Sequence, residues 1–155
     1  MSDDLRDLYQ EVILEHARKP RNHHALATTG VRKAEGFNRL CGDRLHVYLD
    51  VQNGVIQDAS FEGSGCAIST ASASMMTQTV KGRSVGDAEA LFRRFHTLVT
   101  DTEPADADAD VELGKLEVFA GVREFPARVK CASLAWHTMH AALKADADAV
   151  VSTED

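Results

Sequence analysis

Cysteine and proline are scarce in this chain, at three residues each among 155, and there is a single tryptophan. An odd cysteine count leaves no fully paired disulfide framework. No apolar run approaches the roughly 20 residues that a membrane-spanning helix needs, so no membrane role is expected. The opening Met1-Ser2-Asp3-Asp4 is acidic and polar, unlike a secretory signal or a basic transit peptide. Basic residues are also in the minority, 17 against 24 acidic ones for a net charge of −7. Phosphate binding needs a basic face, so no nucleic-acid partner is expected either. These absences place the chain in the cytoplasm, in a reducing compartment where free thiols serve metal binding or sulfur chemistry rather than disulfides.

What is present suits one soluble domain. Hydrophobic residues make up 44% and charged residues 26%, and 155 residues suffice to bury a single core. Asp3 or Asp4 caps a first helix that runs to about residue 19, with Leu5, Leu8, Tyr9, Val12 and Ile13 at helical spacing and Pro20 as its stop. His16, near its end, complements the helix dipole or packs. Residues 20–43 read as irregular, with a short strand near 30–37.

The hairpin that follows is the clearest pattern. Leu45, Val47, Leu49 and Val51 alternate with polar residues, Asn53-Gly54 turns, and residues 55–61 run back. A two-residue loop sets Leu45, Val47 and Leu49 on one face with Glu62, Ser60 and Asp58. A three-residue loop instead pairs Leu45 with Phe61, Val47 with Ala59 and Val51 with Val55, a coherent apolar face, and is the preferred register. Either way Cys41 and Cys66 leave the open end side by side, roughly 5–7 Å apart if pairing persists.

Residues 67–81 form a helix of Ala, Ser, Thr and Met, whose small side chains allow close neighbours. Cys66 then sits at its N-terminus, where free amides and the dipole favour a thiolate. Gly82 ends this helix, and Ser84-Val85-Gly86-Asp87 opens another through about residue 99 in the manner of a capping box. The acidic run 101–112 reads as a solvated loop, without the spacing of a calcium loop. A short helix spans 113–120, and Pro126 starts a last helix to about residue 143 that carries Cys131. Residues 145–155 read as a frayed tail, and no repeat or second domain is visible.

Each cysteine lies in a chemically marked segment: Cys41-Gly42-Asp43, Gly63-Ser64-Gly65-Cys66 and Arg128-Val129-Lys130-Cys131. Three thiolates and the Asp43 carboxylate would make a four-donor set suited to zinc or an iron–sulfur cluster. Free cysteine also packs as a small hydrophobe, and Cys131, beside Ala132 and Leu134, fits that alternative equally well. His137 and His140 share a helix with no evident third partner and read as surface residues, and His23-His24 as a loop pair.

Taken in order, these segments resemble the U-type iron–sulfur cluster assembly proteins, IscU and the N-terminal part of NifU. The matching stretches are Leu8-Tyr9 with His16, Pro20-Arg21-Asn22, Cys41-Gly42-Asp43-Arg44 and Phe61-Glu62-Gly63-Ser64-Gly65-Cys66-Ala67-Ile68-Ser69. They continue with Ala71-Ser72-Ala73-Ser74-Met75-Met76-Thr77 and Phe125-Pro126-Ala127-Arg128-Val129-Lys130-Cys131-Ala132-Ser133-Leu134-Ala135-Trp136. Lys130 stands where scaffold-type members carry histidine, and residues 82–113 correspond to an insertion those members lack; both features resemble the SufU branch. Arg39 replaces a proline common before the first cysteine.

The resemblance implies an α+β fold, a small antiparallel three-stranded sheet with helices packed on one side, over a single domain. It implies that Cys41, Asp43, Cys66 and Cys131 meet at one exposed metal site holding Zn2+, or alternatively iron or a [2Fe–2S] cluster. It also implies a zinc-dependent sulfurtransferase in which Cys41 accepts persulfide sulfur from a SufS-type cysteine desulfurase, freed for attack when a ligand from the partner replaces it on the zinc. Arg128 and Lys130 would stabilise thiolate charge or touch the partner. The alternative role is a scaffold that builds a cluster on the same residues and passes it to other assembly proteins or apo-protein acceptors. A purely structural zinc module is a third reading; it predicts unfolding on metal removal and no defect in sulfur flow.

Overall fold

The computed structural model describes residues 3–26, 31–39, 41–105, 108, 110–144 and 149–152. In chain order the elements are α1 (Asp3–Arg18), β1 (Val31–Asn38), β2 (Asp43–Gln52), β3 (Val55–Ser64), α2 (Ala67–Val80) and α3 (Val85–Thr100). A 3-10 helix (Gly114–Glu124), α4 (Pro126–Lys144) and β4 (Ala149–Ser152) complete it. This is the expected α+β fold, with β1, β2 and β3 antiparallel. The sheet order is β3-β2-β1-β4, and β4 runs parallel to β1. Residues 149–152, expected in a frayed tail, therefore extend the sheet instead. Ala-Val-Val-Ser is a short β-branched run, and the free edge of β1 offers it unpaired backbone groups.

Alternation on β2 sends Leu45, Val47 and Leu49 into the core, all fully buried. Burial of each such side chain stabilises the fold by about 1.5–3 kcal/mol. α4 packs on β1 and β2, and α2 packs on β3. The opposite face carries a polar lattice, with Arg44 and His46 on the Glu35 carboxylate at 3.0 and 3.1 Å and Tyr48 donating to Glu62 at 2.6 Å. α4 crosses β1 directly over Gly36, where an added Cβ would fall 2.0 Å from Thr138 Oγ1. Close approach here lays α4 flat on the sheet and fixes where Cys131 points.

The hairpin corrects the preferred register. Asn53 and Gly54 both have positive φ, 54° and 75°, as a two-residue type I′ turn requires. Val51 pairs with Ile56, but beyond a bulge the partners are Asp50 with Asp58, Leu49 with Ala59, Val47 with Phe61 and Leu45 with Gly63. The extra residue that aligns the apolar face is thus in β3 at Gln57, not in the turn. A bulge restores the parity demanded by the core without lengthening the loop.

α2 is central, touching α1, α4 and β3. Its Ala71, Ser72, Ala73 and Ser74 are all fully buried, and side chains this small let three neighbours approach at once. Buried hydroxyls need partners: Ser72 donates to the Ala132 carbonyl at 2.5 Å, and Ser74 Oγ lies 2.7 Å from His16 Nδ1 while accepting the Arg21 amide at 2.8 Å. His16 is therefore a buried bolt between α1 and α2. Ser84 caps α3 by accepting the Asp87 amide at 3.1 Å.

The acidic run departs from the solvated loop expected of it. Asp108 is 3% exposed and takes a bidentate fork from Arg93 at 2.8 and 3.0 Å, and Asp101 pairs with Arg123 at 3.0 Å. Asp106 lies outside the described residues. The helix expected at 113–120 is of 3-10 type and continues to Glu124.

Candidate metal centre

Three chain segments converge at the open end of the hairpin. Cys41 occupies the turn before β2, Asp43 is the first residue of β2, Cys66 caps α2, and Cys131 lies in the second turn of α4. Gly42 separates the first two with φ of 72°, a left-handed step that suits glycine. Cys131 Sγ donates to Cys41 Sγ at 3.0 Å. Cys66 Sγ lies 3.9 Å from Asp43 Oδ2, while Asp43 Oδ1 accepts the Cys66 amide at 2.8 Å. The Asp43 carboxylate thus has one oxygen occupied by the loop and one turned to the thiols. Gly65 allows this approach, since a Cβ there would sit 2.6 Å from Asp43 Oδ1.

Burial is unequal. Asp43 is 2% exposed and Cys131 3%, whereas Cys41 and Cys66 are half-buried. The thiols differ in acidity for the same reasons. Cys66 is lowered to about 7, chiefly by the hydrogen bond from Cys131 and, against burial, by the Ser69 amide that donates to its sulfur at 3.4 Å. Cys131 is pushed well up by its hydrogen bond to Cys66, by burial and by Cys41 and Asp43. Between Cys66 and Cys131 the proton resides on Cys131.

The donor set fits a soft, tetrahedral metal. Donor atoms of Cys41, Asp43 and Cys131 all lie within 4.8 Å of one another. Bond lengths of about 2.0–2.3 Å place tetrahedral zinc donors roughly 3.5–3.8 Å apart, inside that spread. Sulfur-rich sets favour zinc or iron over magnesium or calcium. Cys66 lies beside this trio, its sulfur 3.9 Å from Asp43 Oδ2, but outside the group whose donors are all mutually close.

The auxiliary residues sit differently. The Arg128 guanidinium covers the Phe125 ring at 4.3 Å and not a thiol. Lys130 is half-buried beside Cys131. His23 stacks on Phe61 at 4.8 Å. His137 and His140, read as surface residues, instead flank Phe92 of α3 together with His96. The i, i+4 spacing along α3 places His96 near Phe92, but no periodicity says that α3 meets α4 on that side. The second duty of Asp43, as acceptor for the Cys66 amide, was likewise missed; the glycines flanking Ser64 were its available signal.

Residues 8–132 match the NifU-like N terminal domain family, and the chain belongs to it. It is 39% identical over 136 residues to the zinc-dependent sulfurtransferase SufU of Bacillus subtilis (strain 168), covering 88% of this chain and 89% of that protein. It is 40% identical over 145 residues to the iron–sulfur cluster assembly scaffold protein IscU of Streptococcus pyogenes serotype M1, covering 94% and 88%. The fold superposes with a TM-score of 0.76 on the crystal structure of a candidate iron–sulfur assembly scaffold for the SUF system from Fervidobacterium islandicum AW-1. That protein is 28% identical, with 90% of this chain and 98% of that one covered.

Proposed function

We propose that this iron–sulfur cluster assembly protein is a zinc-dependent sulfur acceptor, with Zn2+ held by Cys41, Asp43, Cys66 and Cys131 and sulfur received on Cys41 from a SufS-type cysteine desulfurase. The observation that carries the reading is the contrast within the donor set. Asp43 and Cys131 are almost wholly buried on regular elements, while Cys41 sits half-buried in a turn beside a left-handed glycine. Cys41 is the donor that can leave its place without unfolding a strand or a helix.

Bound zinc would hold the thiols as thiolates at neutral pH. The chain's own residues do the rest. Asp43 holds the Cys66 loop, Cys131 anchors the centre to α4, and the Cys41 turn presents its sulfur to solvent. The Cys41 thiolate attacks the outer sulfur of the donor persulfide; the new S–S bond forms on Cys41, and the donor cysteine leaves as a thiolate. Other assembly proteins or apo-protein acceptors would take the sulfur next.

Similarity to the streptococcal scaffold supports a second reading, in which a [2Fe–2S] cluster is built on the same donors. Metal and acid-labile sulfide analysis of protein purified anaerobically without added metal separates the two. About one zinc per chain without sulfide is expected; iron with matching sulfide would replace the acceptor reading by the scaffold. Cys41→Ala should abolish persulfide labelling of the chain, and a fully labelled variant would overturn the assignment.

A further inference from the structure

We propose that His96 of α3 and His137 of α4 form a second, exchangeable site for a divalent first-row transition-metal ion, separate from the cysteine centre. The two rings meet edge to face across the seam between the helices, with centroids 5.6 Å apart and planes at 79°. Two imidazoles on one ion, with metal–nitrogen bonds of about 2.1 Å, hold their centroids roughly 5 Å apart. The observed 5.6 Å lies within about an ångström of that spacing. His96 is exposed and His137 half-buried, so the pair opens to solvent on one side and is backed by protein on the other.

Phe92 forms the floor. Its ring meets His137 edge-on at 5.1 Å and stacks on His140 at 4.6 Å with 11° between planes. The three histidines form no close donor trio; among the described residues the only such trio is at the cysteine centre. Water would complete the coordination of a two-histidine site.

The ring nitrogens are unclaimed. Among the described residues neither His96 nor His137 makes a hydrogen bond, although buried imidazoles usually do. Burial, and after it His96 and His140, lower the pKa of His137 and so favour its neutral, ligand-ready form. The charges beside it act on His140, namely Lys144, Glu89 and Arg93, and Arg93 is also engaged by Asp108. Imidazole pairs select zinc, nickel, copper and ferrous iron over magnesium and calcium. His137 lies about 9 Å along α4 from Cys131, so the ion would be held about 1.7 turns from the cysteine centre without sharing a ligand.

The test uses the full chain already loaded with one equivalent of Zn2+, titrated calorimetrically with more Zn2+. A second equivalent should bind, at least tenfold more weakly in His96→Gln and in His137→Gln, and unchanged in His24→Gln, whose ring is exposed elsewhere. Thermal unfolding gives a second readout. Added Zn2+ should raise the Tm of the loaded wild type and leave that of His96→Gln, an exposed position whose loss spares the core, unmoved. Absence of a second equivalent, or one that survives both seam variants or disappears with His24, overturns the proposal.

Discussion

Asp43 grips Cys66 at two points, its Oδ1 accepting the Cys66 amide at 2.8 Å and its Oδ2 resting 3.9 Å from the Cys66 sulfur. One carboxylate therefore fixes the loop and faces the thiols. The two duties separate by substitution. Asp43→Asn keeps an acceptor for the amide but loses the charge, whereas Asp43→Ala leaves the Cys66 N–H without its partner. Denaturant unfolding of metal-free protein should show a loss of about 1–3 kcal/mol for Asp43→Ala and less for Asp43→Asn. Both should weaken zinc, read by competition with a chromophoric chelator.

Gly65 makes a sharper probe of the same contact. Gly65→Ala would push a methyl to 2.6 Å from the Asp43 carboxylate, while Gly121→Ala meets open space. Zinc affinity should fall at least tenfold in the first and hold in the second. Equal affinities would mean that the Asp43 carboxylate yields freely, and that its placement is not what organises the centre.

Thiol acidity gives a pH-dependent signature in chelator-treated protein. Cys66 is lowered to about 7 and Cys131 is pushed well above the usual thiol range. Alkylation of Cys66 should rise with pH through a midpoint near 7, while Cys131 stays inert over the same range. Peptide mass spectrometry after short iodoacetamide pulses reads both at once.

His16 predicts acid lability. Burial lowers its pKa, and Ser74 Oγ, which accepts the Arg21 amide, has its own proton to give to His16 Nδ1. The unfolded chain then binds the proton more readily than the folded one. The contribution is present above the unfolded pKa of about 6.5 and is lost as pH falls through the lowered folded value. His137 and His140 are also lowered by burial and act in the same direction. Wild type should lose stability between pH 7 and 5, and His16→Gln should lose less across that window, measured by urea unfolding at each pH.

Much of the centre is legible in the sequence because a hairpin is local. Alternation of Leu45, Val47 and Leu49 fixes which face is buried, and the Asn53-Gly54 turn brings the Cys41 loop and Cys66 to one end. The exact pairing was not legible, since a bulge at Gln57 and a three-residue turn satisfy the same parity. Cys131 was beyond periodicity, because its place depends on α4 lying across Gly36, a contact between residues about a hundred positions apart. The acidic run misled for a related reason: Asp108 is buried only because Arg93, on another element, reaches it. Composition registers the charge of such a segment but not its distant partner.

The order of the donors along the chain has a consequence for biogenesis. Cys41, Asp43 and Cys66 belong to the early hairpin and the start of α2, but the sulfur that joins them belongs to α4, the last helix. On a ribosome adding about 5–20 residues each second, the first two thiols wait several seconds for the third. With the proposed ligand set, a nascent chain would offer an ion at most a partial, easily reversed grip until α4 docks. Should these residues hold the metal as proposed, tight metal retention would report that translation has passed the final helix and that the sheet beneath it is already in place.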